Sequence, residues 1–193
     1  MLRISKAQMT GPLAYVMKRF SRKMFGEVAE PLEVLWHNKR VLKDSMAIGR
    51  KVQKWDTLDP NLASFAHMAV AALVGCSWCL DLNYFMAHNE GLPDVKASEV
   101  PRWRTSTLFT PLERDVMEYA EAMSETPPRV TDELSARLLE QLGAPAMIEL
   151  TALVAFANMS TRNNVALGIE SQGFSKECAL PLAQPPVRLR TTA

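Results

Sequence analysis

The sequence predicts an all-α fold, and two observations carry that prediction. Apolar residues recur at three- and four-residue spacing along most of the chain, the period of a helix with one buried face. No alternating run bounded by Gly or Asn-Gly turns offers itself as a strand. At 193 residues the chain has the length for one domain with a sizeable core, or for two small repeats fused together. Its 48% apolar and 22% charged residues are ordinary for a soluble globular protein.

The first helical segment is "GPLAYVMKRFSRKMFGE". Leu13, Val16, Met17, Phe20 and Met24 recur at three and four, with Lys18, Arg19, Arg22 and Lys23 between them. Two readings suit it: a basic amphipathic helix lying on a membrane surface, and the commoner packing helix with one solvated face. "EPLEVLWHNKRVLKDSMAIGRKVQKW" reads as one or two helices, with Pro31 near a helix start. "TLDPNLASFAHMAVAALVG" opens on Asp59-Pro60, closes on Gly75 and is apolar nearly all round, so it is expected to be buried. "CSWCLDLNYFMAHNEG" starts a new helix that stops at Gly91.

A connector with three prolines follows, "LPDVKASEVPRWRTSTLFTP". In "TPLERDVMEYAEAMSET", Thr110 stands as N-cap, Pro111 at the first position and Glu113 three residues after the cap, the pattern of a capping box. "VTDELSARLLEQLG" repeats the device, with Thr131 as cap and Gly143 as stop. "APAMIELTALVAFANMSTRNNVALG" is a long apolar helix that turns polar near Asn158. The last dozen residues read as a disordered tail. The expected layout is an N-terminal basic arm over 1–29, a helical domain over 30–180 and a flexible tail over 181–193.

Lys plus Arg total 22 and Asp plus Glu 21, so net charge suggests neither a nucleic-acid nor an acidic partner. The charge is unevenly placed: Arg3 to Lys54 is basic and Glu113 to Glu149 leans acidic. No run of about 18 apolar residues is present, so no membrane span is expected. The N-terminus lacks the pattern of a signal peptide, which points to the cytoplasm. Three cysteines there are too few and too odd in number for a structural disulfide framework.

Cys76 and Cys79, at i and i+3, face the same side of a helix. In a first turn they meet the positive end of the helix dipole and free backbone N–H groups, which lower a thiol pKa from about 8.5 by one or more units. A thiolate so formed attacks a peroxide oxygen or a disulfide, and the second cysteine closes an intramolecular disulfide. On dipole grounds Cys76 is the more acidic; which sulfur attacks first depends on exposure. Two other readings remain open: a pair of buried cysteines packing as small hydrophobes, and half of a metal site. Zinc wants four ligands, and no second C-x-x-C or H-x-x-x-H is present; His67 and His88 are the local candidates. No metal and no cofactor is expected.

The order of apolar helix, Gly75, Cys76, Cys79, Ala87 and Gly91 resembles the carboxymuconolactone decarboxylase and alkylhydroperoxidase D superfamily. The likeness covers roughly residues 30 to 175 and takes in "PLERDVMEYAEAM", "VTDELSARLLEQLG" and "IELTALVAFANMSTRNNVALG". It implies an alkylhydroperoxidase D-like helical fold, assembly into a homo-oligomer, and a C-x-x-C pair that reduces organic hydroperoxides. Members of the superfamily carry a glutamate twelve residues before the first cysteine and a histidine four after the second, a proton relay in the peroxidatic members. Here those positions hold Ser64 and Asn83, which hydrogen-bond but cannot act as a base near neutral pH.

A substitute is His67, one turn after Ser64 on the same helix and with a pKa suited to a base; a satisfied core histidine is the plainer reading. Asp81 reads as a first-turn acid or a solvated one, His88 as lying toward an exposed helix end, and Trp78 as packing against apolar surface. Cys178 reads as a third thiol outside the pair, a redox partner only if the tail folds back. Asn158, Arg162, Asn163 and Asn164 either line a pocket or terminate a helix. Candidate catalytic residues are therefore Cys76, Cys79 and His67. The expected partners are a small-molecule hydroperoxide or a disulfide reductant. A redox-sensing, small-molecule-binding oligomer and a decarboxylase-like enzyme are the rivals. The cysteine pair argues against the second, because decarboxylase-type members do not depend on it.

Overall fold

The structure is a computed structural model, and it describes residues 1–178 and 180–184. Every regular element among them is a helix: α1 Pro12–Phe25, α2 Glu30–Leu35, α3 Lys39–Val52, α4 Pro60–Val74, α5 Ser77–Asn89, α6 Asp94–Ala97, α7 Pro111–Ser124 and α8 Asp132–Leu167. Short 3-10 turns occupy Val100–Arg102 and Phe174–Glu177. The all-α expectation holds among the described residues. Residues 185–193 of the tail read as disordered lie outside the described residues.

α4 is the axis of the domain. Phe65, Ala66, Met68, Ala69, Val70 and Ala71 are fully buried on it, and α5, α7 and α8 pack around it. The absence of a polar face in its sequence is the reason it sits inside. Its start is fixed locally: the Asp59 carboxylate accepts from the backbone N–H groups of Asn61 at 2.8 Å and Leu62 at 3.3 Å, with Pro60 at the first position. Its end is fixed by Gly75, whose φ of 80° is the left-handed conformation that glycine adopts without a Cβ penalty. The N–H groups of Gly75 and Cys76 both donate to Ala71 O, and the chain turns directly into α5.

The connector holds α6 and the Val100–Arg102 turn. The Thr110–Glu113 capping box and the Thr131 cap form as the sequence suggests. Gly143, at φ 74° and ψ 164°, breaks α8 just before Pro145. "EPLEVL…KRV" resolves into two helices separated at Trp36–Asn38, the second capped by Asn38. Length and mean hydropathy alone would let α8 cross a bilayer, contrary to the reading that no segment qualifies. Its inner face gives Leu150, Leu153, Val154 and Ala157 to the core.

A second, small core lies apart. Met9, Ala14, Trp36 and Leu42 bury one another with help from Met17, Leu32 and Met46, and so hold α1 against α2 and α3. The opposite stripe of α1 faces outward, with Leu13, Val16 and Phe20 at 45%, 60% and 57% exposure.

Candidate active site

Cys76 is the N-cap of α5 and Cys79 lies in its first turn. They form a disulfide with their Cα atoms 5.3 Å apart, and Cys76 Sγ accepts from the Cys79 backbone N–H at 3.2 Å. The Cys76 sulfur therefore sits on a free N–H of the helix start. Both residues are buried, at 1% and 3% exposure, but their surroundings differ. Cys76 borders a cleft of about 280 Å³ walled by Ala71, Ala72, Leu80 and Leu182 and rimmed by Ser77, Ser175 and Gln184. Among the described residues, no lysine, arginine or histidine lines it. Cys79 turns the other way, toward α8, where the Asn164 amide donates to its Sγ at 3.3 Å.

One wall of that cleft is the segment after α8, residues 169–178 and 180–184, which straps back over α5. Asp81 pins it. Two residues past Cys79 and only 3% exposed, its carboxylate accepts from Ser171 Oγ, Ser175 Oγ and the backbone N–H groups of Gly173, Phe174 and Ser175, all at 2.6–3.0 Å. Burial alone would raise its pKa, but the bonds from Ser175, Ser171 and the backbone outweigh that and hold it below the usual carboxylate range. Asp81 is thus neither a solvated acid nor merely a residue favoured by the dipole; it is a buried anchor.

Other contacts complete the seat of the strap. The Ser171 N–H donates to Ser77 Oγ, and Trp78 Nε1 to Gln172 Oε1 at 2.9 Å. Phe174 packs edge-on against Trp78 and beside Phe25 and Phe85. The Tyr84 hydroxyl donates to Leu180 O at 2.7 Å; burial first, then Asp94 and Cys178, pushes its pKa up to about 12. Cys178 is half-buried against the main core and is not part of the disulfide.

The sequence-predicted residues are thus brought together only in part. Cys76 and Cys79 are joined. His67 is not part of the cleft lining and makes no hydrogen bond to either sulfur; its ring stands edge-on to Phe156 of α8. Half-buried by area yet closely surrounded, it has its pKa pushed down by burial to about 4. Asn83 spends its amide on Cys79 O, one turn back on its own helix, at 2.6 Å. His88 pairs with Asp94 at 2.8 Å.

The polar cluster of α8 divides. Asn158 and Arg162 donate to Ser124 Oγ and Ser124 O, closing the C-terminus of α7; Asn164 alone of that cluster meets the cysteines. Sequence reasoning missed Asp81 as an anchor and Asn164 as a cysteine contact. Among the described residues no group of three metal-ligating side chains gathers. A larger depression of about 470 Å³, lined by Trp103, Arg114 and Arg137 among others, lies away from the disulfide; there Arg137 is paired with Asp115 and Arg104 with Glu121.

Comparison with known proteins agrees with this architecture. Residues 41–122, from α3 through most of α7, match the carboxymuconolactone decarboxylase family. The chain is 37% identical over 164 residues to the uncharacterized protein YnjA of Escherichia coli (strain K12), covering 83% of this chain and 87% of that one. It is 23% identical over 119 residues to the uncharacterized protein YdfG of Bacillus subtilis (strain 168), covering 61% and 81%. Solved structures share its fold, two of which follow. The apo debrominase Bmp8 superposes with a TM-score of 0.78 at 17% identity, over 90% of this chain and 94% of that one. A peroxidase-related alkylhydroperoxidase AhpD core protein from Ralstonia eutropha JMP134 superposes with a TM-score of 0.77 at 16% identity, over 92% and 98%. With the C-x-x-C helix start inside the matched segment and a relative of that identity along most of its length, the chain belongs to the carboxymuconolactone decarboxylase family, in its alkylhydroperoxidase D-like helical form.

Proposed function

We propose that this protein is a thiol-dependent peroxidase that reduces small, neutral organic hydroperoxides, with Cys76 as the attacking sulfur and Cys79 as the resolving one. The observation that carries the reading is the helix-start disulfide with Cys76, not Cys79, bordering the cleft. Apolar walls that, among the described residues, carry the Asp81 carboxylate and no cationic side chain suit an uncharged substrate better than an anionic one. The debrominase neighbour holds 2,3,4-tribromopyrrole in one of its complexes, which supports a compact organic ligand for this fold.

The cycle balances as follows. The Cys76 thiolate attacks the distal peroxide oxygen; the O–O bond breaks, and the alkoxide takes a proton and leaves as the alcohol. Cys79 thiolate then attacks the Cys76 sulfenic sulfur, the S–S bond forms, and hydroxide leaves as water after taking a proton. A dithiol reductant opens the disulfide by attack on Cys76 and leaves as its own disulfide. The protein supplies helix-start N–H groups to hold the thiolate and a cleft to admit the hydroperoxide. His67, which does not line the cleft and stands edge-on to Phe156, has no part in this proposal.

Stopped-flow assay with cumene hydroperoxide and a dithiol tests it. Cys79→Ser is expected to stop after one turnover, with a dimedone-trappable sulfenic acid on Cys76, and Cys76→Ser to be inactive. Undiminished multiple turnover in Cys79→Ser would end the proposal. The burial of both sulfurs favours a second reading, a redox-sensing oligomer whose disulfide state changes its packing. That reading predicts a disulfide that cycles with dithiols but no hydroperoxide turnover.

A homo-oligomer is part of the proposal. The outward stripe of α1 and a second stripe on α8, Ile148, Ala155 and Met159, are apolar surface of the kind a second copy covers. A reducing cytoplasm is the setting in which a dithiol donor is at hand.

A further inference from the structure

The relay expected of a peroxidatic pair is absent, and the polar side chains nearest the sulfurs are committed elsewhere. Asn83 is bonded to a backbone carbonyl, Asp81 to the strap, and His67 faces Phe156. What does reach a reacting sulfur is a neutral amide from the far end of the chain. Asn164 sits on α8, 6% exposed, 85 residues from the cysteine it touches.

We infer that Asn164 is a catalytic residue: its side-chain N–H holds Cys79 as a thiolate when the disulfide opens, doing by hydrogen bonding what a base does by taking a proton. The inference rests on the cysteine cycle proposed above, but its readout does not require a hydroperoxide.

The amide must present its N–H to the sulfur, because its oxygen in that place would set lone pair against lone pair. Both partners are buried and on helices, so the donor is aimed before reaction begins, and a buried N–H to a full charge is worth more than one in water. In the step itself, an external thiolate attacks Cys76 Sγ. The Cys76–Cys79 bond breaks, and its electron pair goes to Cys79 Sγ, which leaves as a thiolate against the Asn164 N–H. A leaving thiol of lower pKa leaves faster. In the return step the same thiolate attacks the Cys76 sulfenic sulfur, and the hydroxide released takes a proton to become water. Because Asn164 neither gains nor loses a proton, the acidity of Cys79 comes without a second titrating group.

The test uses the full chain and two substitutions. Asn164→Leu removes the donor at similar volume; Asn164→Asp keeps the shape and sets a carboxylate where the donor was. In a Cys76→Ser, Cys178→Ser background, thiolate absorbance at 240 nm against pH reports Cys79 alone. Asn164→Leu is expected to raise its pKa by about one unit, and Asn164→Asp by more, the order a hydrogen-bond donor dictates. With both cysteines restored, dithiothreitol is expected to open the disulfide roughly three- to tenfold more slowly in Asn164→Leu.

Circular dichroism identifies the folded variants, and the shape-matched aspartate decides if leucine does not fold. A Cys79 pKa unmoved in a folded variant overturns the inference. A shifted pKa in a protein without hydroperoxide turnover leaves Asn164 in its role and removes only the substrate.

Discussion

The seat of the C-terminal strap and the N-terminal arm handle their surfaces in opposite ways. At the seat, polar groups go inward and find partners: Asp81 takes five hydrogen bonds, and Gln172 links Trp78, the Glu30 N–H and the Val28 carbonyl. On the arm, apolar groups stay outward: Leu13, Val16 and Phe20 are each near or above half exposed, while the small core behind α1 holds only four buried apolar residues. Buried polar groups of this kind fix one arrangement, because each unmet partner carries a desolvation cost. Exposed apolar groups fix nothing within one chain. The first region holds a wall of the cysteine cleft in shape, and the second is the surface on which the proposed homo-oligomer is tested.

The sharpest way to break the contrast is Asp81→Ala. Five donors lose their acceptor at once, three of them backbone N–H groups of the strap. A loss of about 3–5 kcal/mol of unfolding free energy is expected, the range for stranding buried partners of a charged group. Urea denaturation measures it, and a loss below about 1 kcal/mol would show that the strap is not held by the carboxylate.

Acid is the next lever, and two groups act in different windows. His67 has a folded pKa of about 4 against an unfolded value near 6.5. The unfolded chain therefore binds its proton first, and stability is lost as pH falls from about 6.5 toward 4. Asp81 has a depressed folded pKa, so its contribution is present above the ordinary carboxylate range and is lost as pH falls through its lower folded value. The His67 window amounts to less than about 3 kcal/mol, since part of the ring stays near water. Melting temperature is expected to fall between about pH 6.5 and 4 in the parent and to flatten there in His67→Leu. An equal slope in both would remove His67 as the source.

What the sequence disclosed and what it hid divide along range. Asp59, Thr110 and Thr131 as caps, and Gly75 and Gly143 as breaks, were legible because each acts on a neighbour within about four residues. The cysteine pair was legible for the same reason. Asp81 was not: its partners lie 90 and more residues downstream, and a carboxylate near a helix start looks the same whether solvated or anchored. Asn164 stood out as polar at the end of an apolar helix, but nothing local says that its amide meets Cys79. Ser64 and His67 are one turn apart on α4, yet the sequence does not say where that face points. It points the His67 ring at Phe156 and not at the sulfurs.

Gln172→Ala sharpens the comparison at a lower level. It removes one acceptor shared by Trp78 and Glu30 and one donor to Val28. Those groups have partial access to water, so about 1–2 kcal/mol is expected in urea, well short of Asp81→Ala. If the two changes cost the same, the strap is a single cooperative unit and not a set of separate bonds.

The smallest effect on the folded chain is expected where the apolar surface faces out. Phe20 is 57% exposed and belongs to neither buried core, so Phe20→Ser removes little intramolecular packing and should change the stability of an isolated chain by no more than about 0.5 kcal/mol. Its effect should fall instead on assembly. Flanked by Arg19 and Lys23 on a helix without an acidic residue, the stripe carries charge that keeps separate molecules apart unless the partner surface is apolar or acidic. The chain's own acidic stretch from Glu113 to Glu149 offers the latter. Light scattering of the parent is expected to show more than one 21.5 kDa chain and of Phe20→Ser a smaller particle, with the disulfide still cycling in both. A parent that scatters as a single chain would leave the stripe without the second copy assigned to it.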